Sequence, residues 1–261
     1  MSNNYSLIID DMTWSYSRIT AFEQCRYGWL LKYIFGVEDQ PRFYTQYGKY
    51  IHEILAMYYK GELKKEELSD YYISHYFENV NERAYQKNVN HSYFMSGLDL
   101  FNNYNDDIDK VVAVEKKVEF KLDNRNFVGF IDLLTAEDGG LVITDHKSRN
   151  LKPRSKRKKP TKGDIELDKY LRQLYLYSVP VLKNGRENNQ IMPIVSMNLH
   201  IFRLKSTIKS PFQIDEFERT KRWALDTIEQ IVNNEDWSPN IDYFYCKYIC
   251  GVSWACEYQN V

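Results

Sequence analysis

Four cysteines occur in the 261 residues: Cys25 by itself near the start, and Cys246, Cys250 and Cys256 together near the end. Soft thiolates in sets of four hold iron–sulfur clusters or structural zinc. An early thiol and a late triplet therefore read as one metal site that would tie the two ends of the chain together. Scattered buried thiols or a pair of disulfides would use the same four residues. The first stretch is polar and acidic (Ser2, Asn3, Asn4, Asp10, Asp11) and carries no apolar secretory segment. The chain is accordingly expected in the cytoplasm, where clustered cysteines favour metal over disulfide.

A second chemistry lies in mid-chain. Residues 143–147 run Ile-Thr-Asp-His-Lys, and side chains two apart on a strand share a face, so Asp145 and Lys147 project together. An apolar strand ending in a carboxylate and an ammonium on one face forms one of two things. One is a sheet-edge salt bridge; the other is a site where the acid holds a divalent cation and the lysine acts on water. Asp132, thirteen positions earlier on the preceding strand, is placed to come beside Asp145. Two adjacent carboxylates repel, and a hard cation such as Mg²⁺ or Mn²⁺ relieves that repulsion. His52 lies among apolar neighbours on a helical stretch, where a lone imidazole is more often a core residue than a ligand. Gln173 and Tyr177 sit one helical turn apart and share a face, which by itself describes the edge of an amphipathic helix.

These residues need a strand meander with helices on either side. Up to about residue 108 the periodicity is helical. Ser17 is placed as the N-cap of a helix running through Cys25 toward residue 35, and further helices are expected over 45–60, 65–86 and 92–104. The period then changes to two: Val114, Val118, Phe120 and Leu122 alternate with Glu115, Lys117, Glu119 and Lys121 in a strand over 112–122. Turns at 123–126 and 137–140 lead to strands over 127–134 and 141–147. A helix over 168–182 with a kink at Pro180, a strand over 194–204 and a helix over 212–233 complete the expected order.

Hydrophobic residues make up 43% of the chain, ample for a core, and no apolar run reaches transmembrane length. The net charge of −1 gives no global sign of a nucleic-acid partner. Its distribution is more informative: nine Lys or Arg and no acid fall between residues 147 and 162. Such a run is either a solvated loop or, directly after the strand that ends in Lys147, a phosphate-contacting segment. On the second reading Arg149, Lys152, Arg154, Lys156, Arg157, Lys158 and Lys159 bind nucleic acid. The 22 tyrosines fit stacking surfaces and ordinary core packing equally well, so they decide nothing.

Taken in order, Cys25, His52, Gly129-x-x-Asp132, Asp145-x-Lys147, Gln173-x-x-x-Tyr177 and the triplet Cys246, Cys250, Cys256 resemble the PD-(D/E)XK nuclease superfamily. Within it they resemble the RecB-like nucleases with an iron–sulfur cluster, which include the CRISPR-associated exonucleases and the AddB nuclease domain. The resemblance runs from Ser17 to Cys256. It implies an α/β fold with a restriction-endonuclease-like core, a central mixed sheet flanked by helices, and an N-terminal helical region. It also implies one nuclease domain over 1–261, with 1–108 helical, 109–233 the catalytic core, and 234–261 closing the cluster with Cys25.

By the same resemblance His52, Asp132, Asp145 and the backbone carbonyl of His146 bind Mg²⁺ or Mn²⁺, and Lys147 assists the attacking water. Gln173 and Tyr177 lie near the site and the nucleic acid, and the four cysteines hold a [4Fe-4S] cluster, with zinc as the alternative. The implied activity is that of a DNA exonuclease in recombination, repair or processing. It would act on single strands or duplex ends, with a recombination or helicase protein as partner and no membrane. Two departures stand. The second acid is Asp145 where many members have Glu, and Cys246 and Cys250 have three residues between them where two is common. Glu115 matches a frequent acidic position and is treated as peripheral. No Gly-x-x-x-x-Gly-Lys-[Ser/Thr] phosphate loop occurs, so the chain carries no helicase motor of its own. The alternative reading is a non-catalytic nucleic-acid-binding subunit with a structural metal–thiolate site.

Overall fold

The change of period near residue 110 becomes a change from helices to sheet in a computed structural model that describes residues 5–137, 139–187 and 193–259, with the backbone alone at 183–187. Before the change come α1 (Ser6–Asp10), α2 (Tyr16–Gln24), α3 (Arg26–Tyr33), α4 (Phe43–Tyr59), α5 (Leu68–Asn79) and α6 (Lys87–Asn102). After it come β1 (Val111–Leu122), β2 (Arg125–Glu137), β3 (Gly140–Lys147), α7 (Lys162–Glu187), β4 (Ile194–Ile201), β5 (Ser206–Pro211), α8 (Ile214–Val232) and α9 (Tyr243–Tyr248). Among the described residues the five strands form one sheet in the order β1-β2-β3-β4-β5. β3 and β4 are parallel, because α7 carries the chain back across the sheet between them; the other pairs are antiparallel. This is a mixed sheet flanked by helices, as the α/β expectation requires.

Each face of the sheet has its own core. Ile131, Leu134, Ile143, Met197, Leu199 and Ile201 bury against α7 and α8, where Leu174, Leu176, Ala224 and Ile228 are also buried. On the other face an aromatic cluster from α4, α5 and α6, including Tyr47, Tyr50, Tyr72 and Phe101, receives Leu133 and Phe202. Because strand residues alternate, Ile143 and Asp145 look toward α7, while Thr144 and His146 look the other way. Among the described residues no helix is long and apolar enough to cross a membrane.

Several expected boundaries are corrected. The single helix from Ser17 is two helices. Ser15 caps α2 by accepting the Arg18 amide hydrogen bond at 3.1 Å, and the chain breaks at Cys25, whose backbone is extended (φ −161°, ψ 111°). Cys25 Sγ then accepts the Gly28 amide hydrogen bond at 3.4 Å and caps α3. The helix expected over 65–86 is a 3-10 turn, Lys65–Glu67, followed by α5, and the one expected over 92–104 begins at Lys87.

α7 begins at Lys162 instead of 168 because Thr161 and Asp164 form a capping box. The Asp164 amide donates to Thr161 Oγ1 (3.2 Å) and the Thr161 amide to Asp164 Oδ2 (2.7 Å). Pro180 lies inside α7 without ending it. The strand expected over 194–204 stops at Ile201, and a 3-10 turn leads into β5, an unexpected edge strand that postpones α8 to Ile214. β2 starts at Arg125 and runs to Glu137, so the first turn is Asp123-Asn124 alone, with Asp123 at φ 48°. In the turn expected at 137–140, Asp138 lies outside the described residues.

Candidate active site

β2 and β3 pair from Glu137↔Gly140 to Leu133↔Thr144 and then separate. Further along, the freed edge of β2 pairs with Trp14, whose amide donates to Asn126 O (2.7 Å) and whose carbonyl accepts from the Val128 amide (2.8 Å). Between these two pairings the sheet opens, and Asp132 and Asp145 are the first residues past the last rung. The Asp132 carboxylate fills in for the missing strand: its Oδ2 accepts the His146 amide hydrogen bond at 2.8 Å. The same oxygen lies 3.4 Å from His52 Nδ1. His52 Nε2 lies 2.9 Å from the His146 carbonyl oxygen. His52 of α4, Asp132 of β2 and the His146 peptide of β3 thus close a ring. With its side chain 30% exposed, His52 is not the core histidine its apolar neighbours suggested. Glu115 stands at the position facing Asp132, between Val114↔Leu133 and Lys116↔Ile131. It has a left-handed backbone (φ 46°) and pairs with Lys60 at 3.1 Å.

Asp145 is only 3% exposed. Gln173 Nε2 donates to its Oδ1 (2.9 Å), Lys147 Nζ donates to Gln173 Oε1 (3.1 Å), and Lys147 Nζ lies 2.7 Å from Asp145 Oδ2. That last contact is a charge-assisted one, and Lys147 is the partner of the buried Oδ2. Burial pushes the Asp145 carboxyl upward; Lys147 pulls it down, Asp132 pushes it up again, and the net is upward. Burial alone would draw the Lys147 ammonium down, but Asp145 and then Asp132 more than offset it, so the lysine is held protonated. Two carboxylates share one ammonium here, which leaves the pocket short of positive charge.

Carboxylate oxygens and a backbone carbonyl facing such a deficit have the donor chemistry of a hard divalent cation. Among the described residues no group of three or more His, Cys, Asp or Glu side chains is gathered to hold a metal ion as it stands. His52 and Asp132 are each engaged with the His146 peptide instead.

Gln173 and Tyr177 come from one face of α7. Gln173 reaches the acid and the lysine directly, whereas Tyr177 is placed by packing on Gly129. A Cβ added at Gly129 would lie 2.2 Å from Tyr177 Cε1, so the glycine is what admits the ring. Burial, followed by the Asp145 and Asp132 charges, holds the Tyr177 hydroxyl protonated. One residue near the site went unread in the sequence. The Tyr170 ring lies 5.4 Å from Lys147 Nζ, and its hydroxyl accepts from Arg149 Nη1 at 3.0 Å. Its position three before Gln173 on the same helix was the available signal.

The basic run divides. Arg149 reaches Tyr170 and pairs with Glu166 at 3.2 Å. Arg154 pairs with Asp168 of α7. Ser155 Oγ and amide, then Thr161 amide and Oγ1, all donate to Asp164, holding its carboxyl well below the usual range and pinning the loop to the start of α7. Lys152, Lys156, Arg157, Lys158 and Lys159 stay exposed. Beside Tyr170 a groove of about 500 Å³ opens between α2 and α7, lined among others by Tyr16, Arg149, Lys162, Lys169 and Tyr245.

The four cysteines lie in one region, although among the described residues no group of three or more is gathered to hold a metal ion. Cys25, Cys246, Cys250 and Cys256 all line one cavity of about 20 Å³, and all four are free thiols. Burial raises the Cys250 and Cys256 thiols, and the neighbouring cysteines raise them further. The C-terminal segment is fixed by Trp237 stacked on Trp29 (5.6 Å, 15°) and by Arg42, whose Nε donates to Cys250 O (3.2 Å) and Nη2 to Ser253 Oγ (2.6 Å). Tyr27 donates to Glu257 at 2.8 Å. α9, capped by Asp242, and the 3-10 turn Ser253–Ala255 present the triplet; neither was expected from the sequence.

A mixed five-stranded sheet with two acids and a lysine at the split between its second and third strands defines a class of metal-dependent nuclease. The chain matches the family model of the PD-(D/E)XK nuclease superfamily over residues 13–257, and it belongs to that superfamily. A search of the curated proteins found no match.

Proposed function

We propose that this protein is a deoxyribonuclease dependent on Mg²⁺ or Mn²⁺, an exonuclease of the RecB-like kind with a structural four-cysteine cluster. The observation that carries the reading is the buried Asp145 carboxylate, held by Lys147 and Gln173 and facing the charge of Asp132 beside it, two acids with one ammonium between them. In this reading His52, Asp132, Asp145 and the His146 carbonyl hold the divalent ion. When bound, such an ion neutralises phosphate charge and lowers the pKa of water. Lys147, fixed by Asp145, Gln173 and the Tyr170 ring, orients the water or stabilises the charge that grows on the phosphate. Gln173 bridges the acid and the lysine through its amide, and Tyr177 sets the depth of α7 over Gly129.

Arg149, Lys152, Arg154, Lys156, Arg157, Lys158 and Lys159 are assigned to phosphate contacts, and the neighbouring groove supplies aromatic and basic side chains suited to nucleic acid. The four cysteines are assigned to a [4Fe-4S] cluster, with zinc as the other outcome of a metal analysis; their shared cavity supports a common site. The whole chain is read as one nuclease domain of the cytoplasm, working in recombination, repair or processing with a helicase or recombination partner that delivers DNA ends.

The experiment is a cleavage assay with Mg²⁺ and Mn²⁺ on linear and circular DNA, single- and double-stranded. Metal-dependent loss of linear substrate with circles spared is expected. Cleaved circles would make it an endonuclease, and inertness toward every DNA would overturn the assignment.

A further inference from the structure

We propose that His200, on the face of the sheet opposite Asp145, is a positioning residue for the candidate active site and acts through the His146 side chain. The proposal rests on the nuclease reading above. β3 and β4 run parallel with His146 and His200 in register. Both rings are buried, 4% and 7% exposed, and their Nδ1 atoms lie 2.9 Å apart. At that distance one Nδ1 carries the proton and the other the lone pair, so the pair is a single hydrogen bond between two neutral imidazoles in defined tautomers.

Three observations connect this bond to the acids. The His146 peptide is the hub of the site: its amide donates to Asp132 Oδ2 and its carbonyl faces His52 Nε2. The His146 ring also meets the His52 ring edge-on, with centroids 5.6 Å apart and planes at 87°. Finally, β3 has lost its β2 neighbour past Leu133↔Thr144, so the His146 peptide keeps β4 as its one strand partner and depends on side chains, its own among them, for its orientation.

That side chain is fixed from two directions. His200 holds Nδ1, and the ring stacks on Tyr59 (6.1 Å, 15°). Tyr59 is in turn locked, its hydroxyl 2.5 Å from that of Tyr104 and donating to Asp106 Oδ2 at 2.6 Å. A layer that only filled space would be less costly with aliphatic residues, because buried polar groups pay desolvation and return it through hydrogen bonds of fixed direction. Direction is what the His146 peptide requires.

The test compares His200→Leu, which keeps volume and removes the bond, with His200→Asn, whose amide can stand where Nδ1 stood. Thermal melting checks that each variant folds, calorimetry measures Mn²⁺ binding, and cleavage is titrated against Mn²⁺. Expected is Mn²⁺ binding weakened about 10–100-fold in His200→Leu, the size usual when a group behind a metal ligand is lost. Cleavage should largely recover at saturating Mn²⁺, and His200→Asn should regain most of the affinity.

Unchanged Mn²⁺ binding in a folded His200→Leu would overturn the proposal, as would equal losses in both folded variants. ¹⁵N NMR of the wild-type imidazoles gives a reading that needs no variant: one protonated and one bare Nδ1 are expected, and two alike would overturn the bond. Wild-type protein that neither binds Mn²⁺ nor cuts DNA would instead remove the nuclease reading, an outcome distinct from active protein indifferent to His200.

Discussion

Replacing Gly129 by alanine tests whether the sheet and α7 are packed as closely as the site demands. The new Cβ would lie 2.2, 2.5 and 2.8 Å from Cε1, Cζ and Cδ1 of Tyr177. Carbon atoms rest about 3.5 Å apart, so the nearest ring atom must retreat by about 1.3 Å. Tyr177 is 6% exposed and cannot swing out to solvent, so the helix must move with it. Overpacking of this kind costs about 1–3 kcal/mol, and three contacts this short point to the upper part of that range. Alanine recovers about 0.5–1 kcal/mol of unfolded-chain entropy relative to glycine. The expected net is a loss of about 2 kcal/mol, a fall in melting temperature of about 4–8 °C.

Leucine at position 177 lacks the two closest ring atoms. In a Tyr177→Leu background Gly129→Ala should therefore be neutral or slightly stabilising, a coupling of about 2–3 kcal/mol in a double-mutant cycle followed by urea unfolding. Gln173 sits one turn earlier on the same helix and holds Asp145 at 2.9 Å. Displacing α7 by about 1 Å should then cost as much as about 100-fold in cleavage rate. The same loss of stability in both backgrounds would refute the steric argument, and full activity in a destabilised Gly129→Ala would refute the link to Gln173.

Asp132→Ala and Asp145→Ala should abolish cleavage and weaken Mn²⁺ binding, whereas Lys147→Ala should abolish cleavage and still bind Mn²⁺. If these side chains served only to hold the sheet together, all three variants would be less stable but still active. Burial raises the Asp145 carboxyl to about 6, so in the metal-free protein its contribution to stability is complete below the ordinary 3.8 and is lost as pH rises through about 6. Mn²⁺ competes with that proton, so its affinity, measured by calorimetry, should fall as pH is lowered through about 6; a flat profile there would contradict the burial of this acid. Cys25→Ser should release the thiolate-bound metal and lower the melting temperature as Cys250→Ser does, and full metal content in either variant would separate the thiols into unrelated groups. Neutralising Arg154, Lys156, Arg157, Lys158 and Lys159 together should weaken DNA binding for every sequence and flatten its salt dependence. An unchanged slope would make the loop a solvated connection.

The chain order alone determined that Asp145 and Lys147 share a face and that Asp132 comes beside them, because a strand repeats every two residues and the hairpin between them is short. The early cysteine and the late triplet line one cavity, a proximity across the chain that their spacing suggested, while no metal-binding group is gathered among the described residues. The Thr161–Asp164 box was equally local and was overlooked beneath the basic run. β5 was not legible: only Ile208 is buried in it, and its extended form comes from pairing with β4.

The remaining features exist only in three dimensions. The split between β2 and β3 depends on where the β3 pairing ends and on Trp14, which takes the freed edge of β2 from far earlier in the chain. His52, Gly129 and His200 stand alone in sequence, each with a partner distant along the chain: the His146 peptide, the Tyr177 ring, the His146 ring. A period betrays which way a side chain points because its neighbours in sequence share the geometry. What it then touches depends on the twist of the sheet and the depth of a helix, which many weak contacts across the whole core settle together.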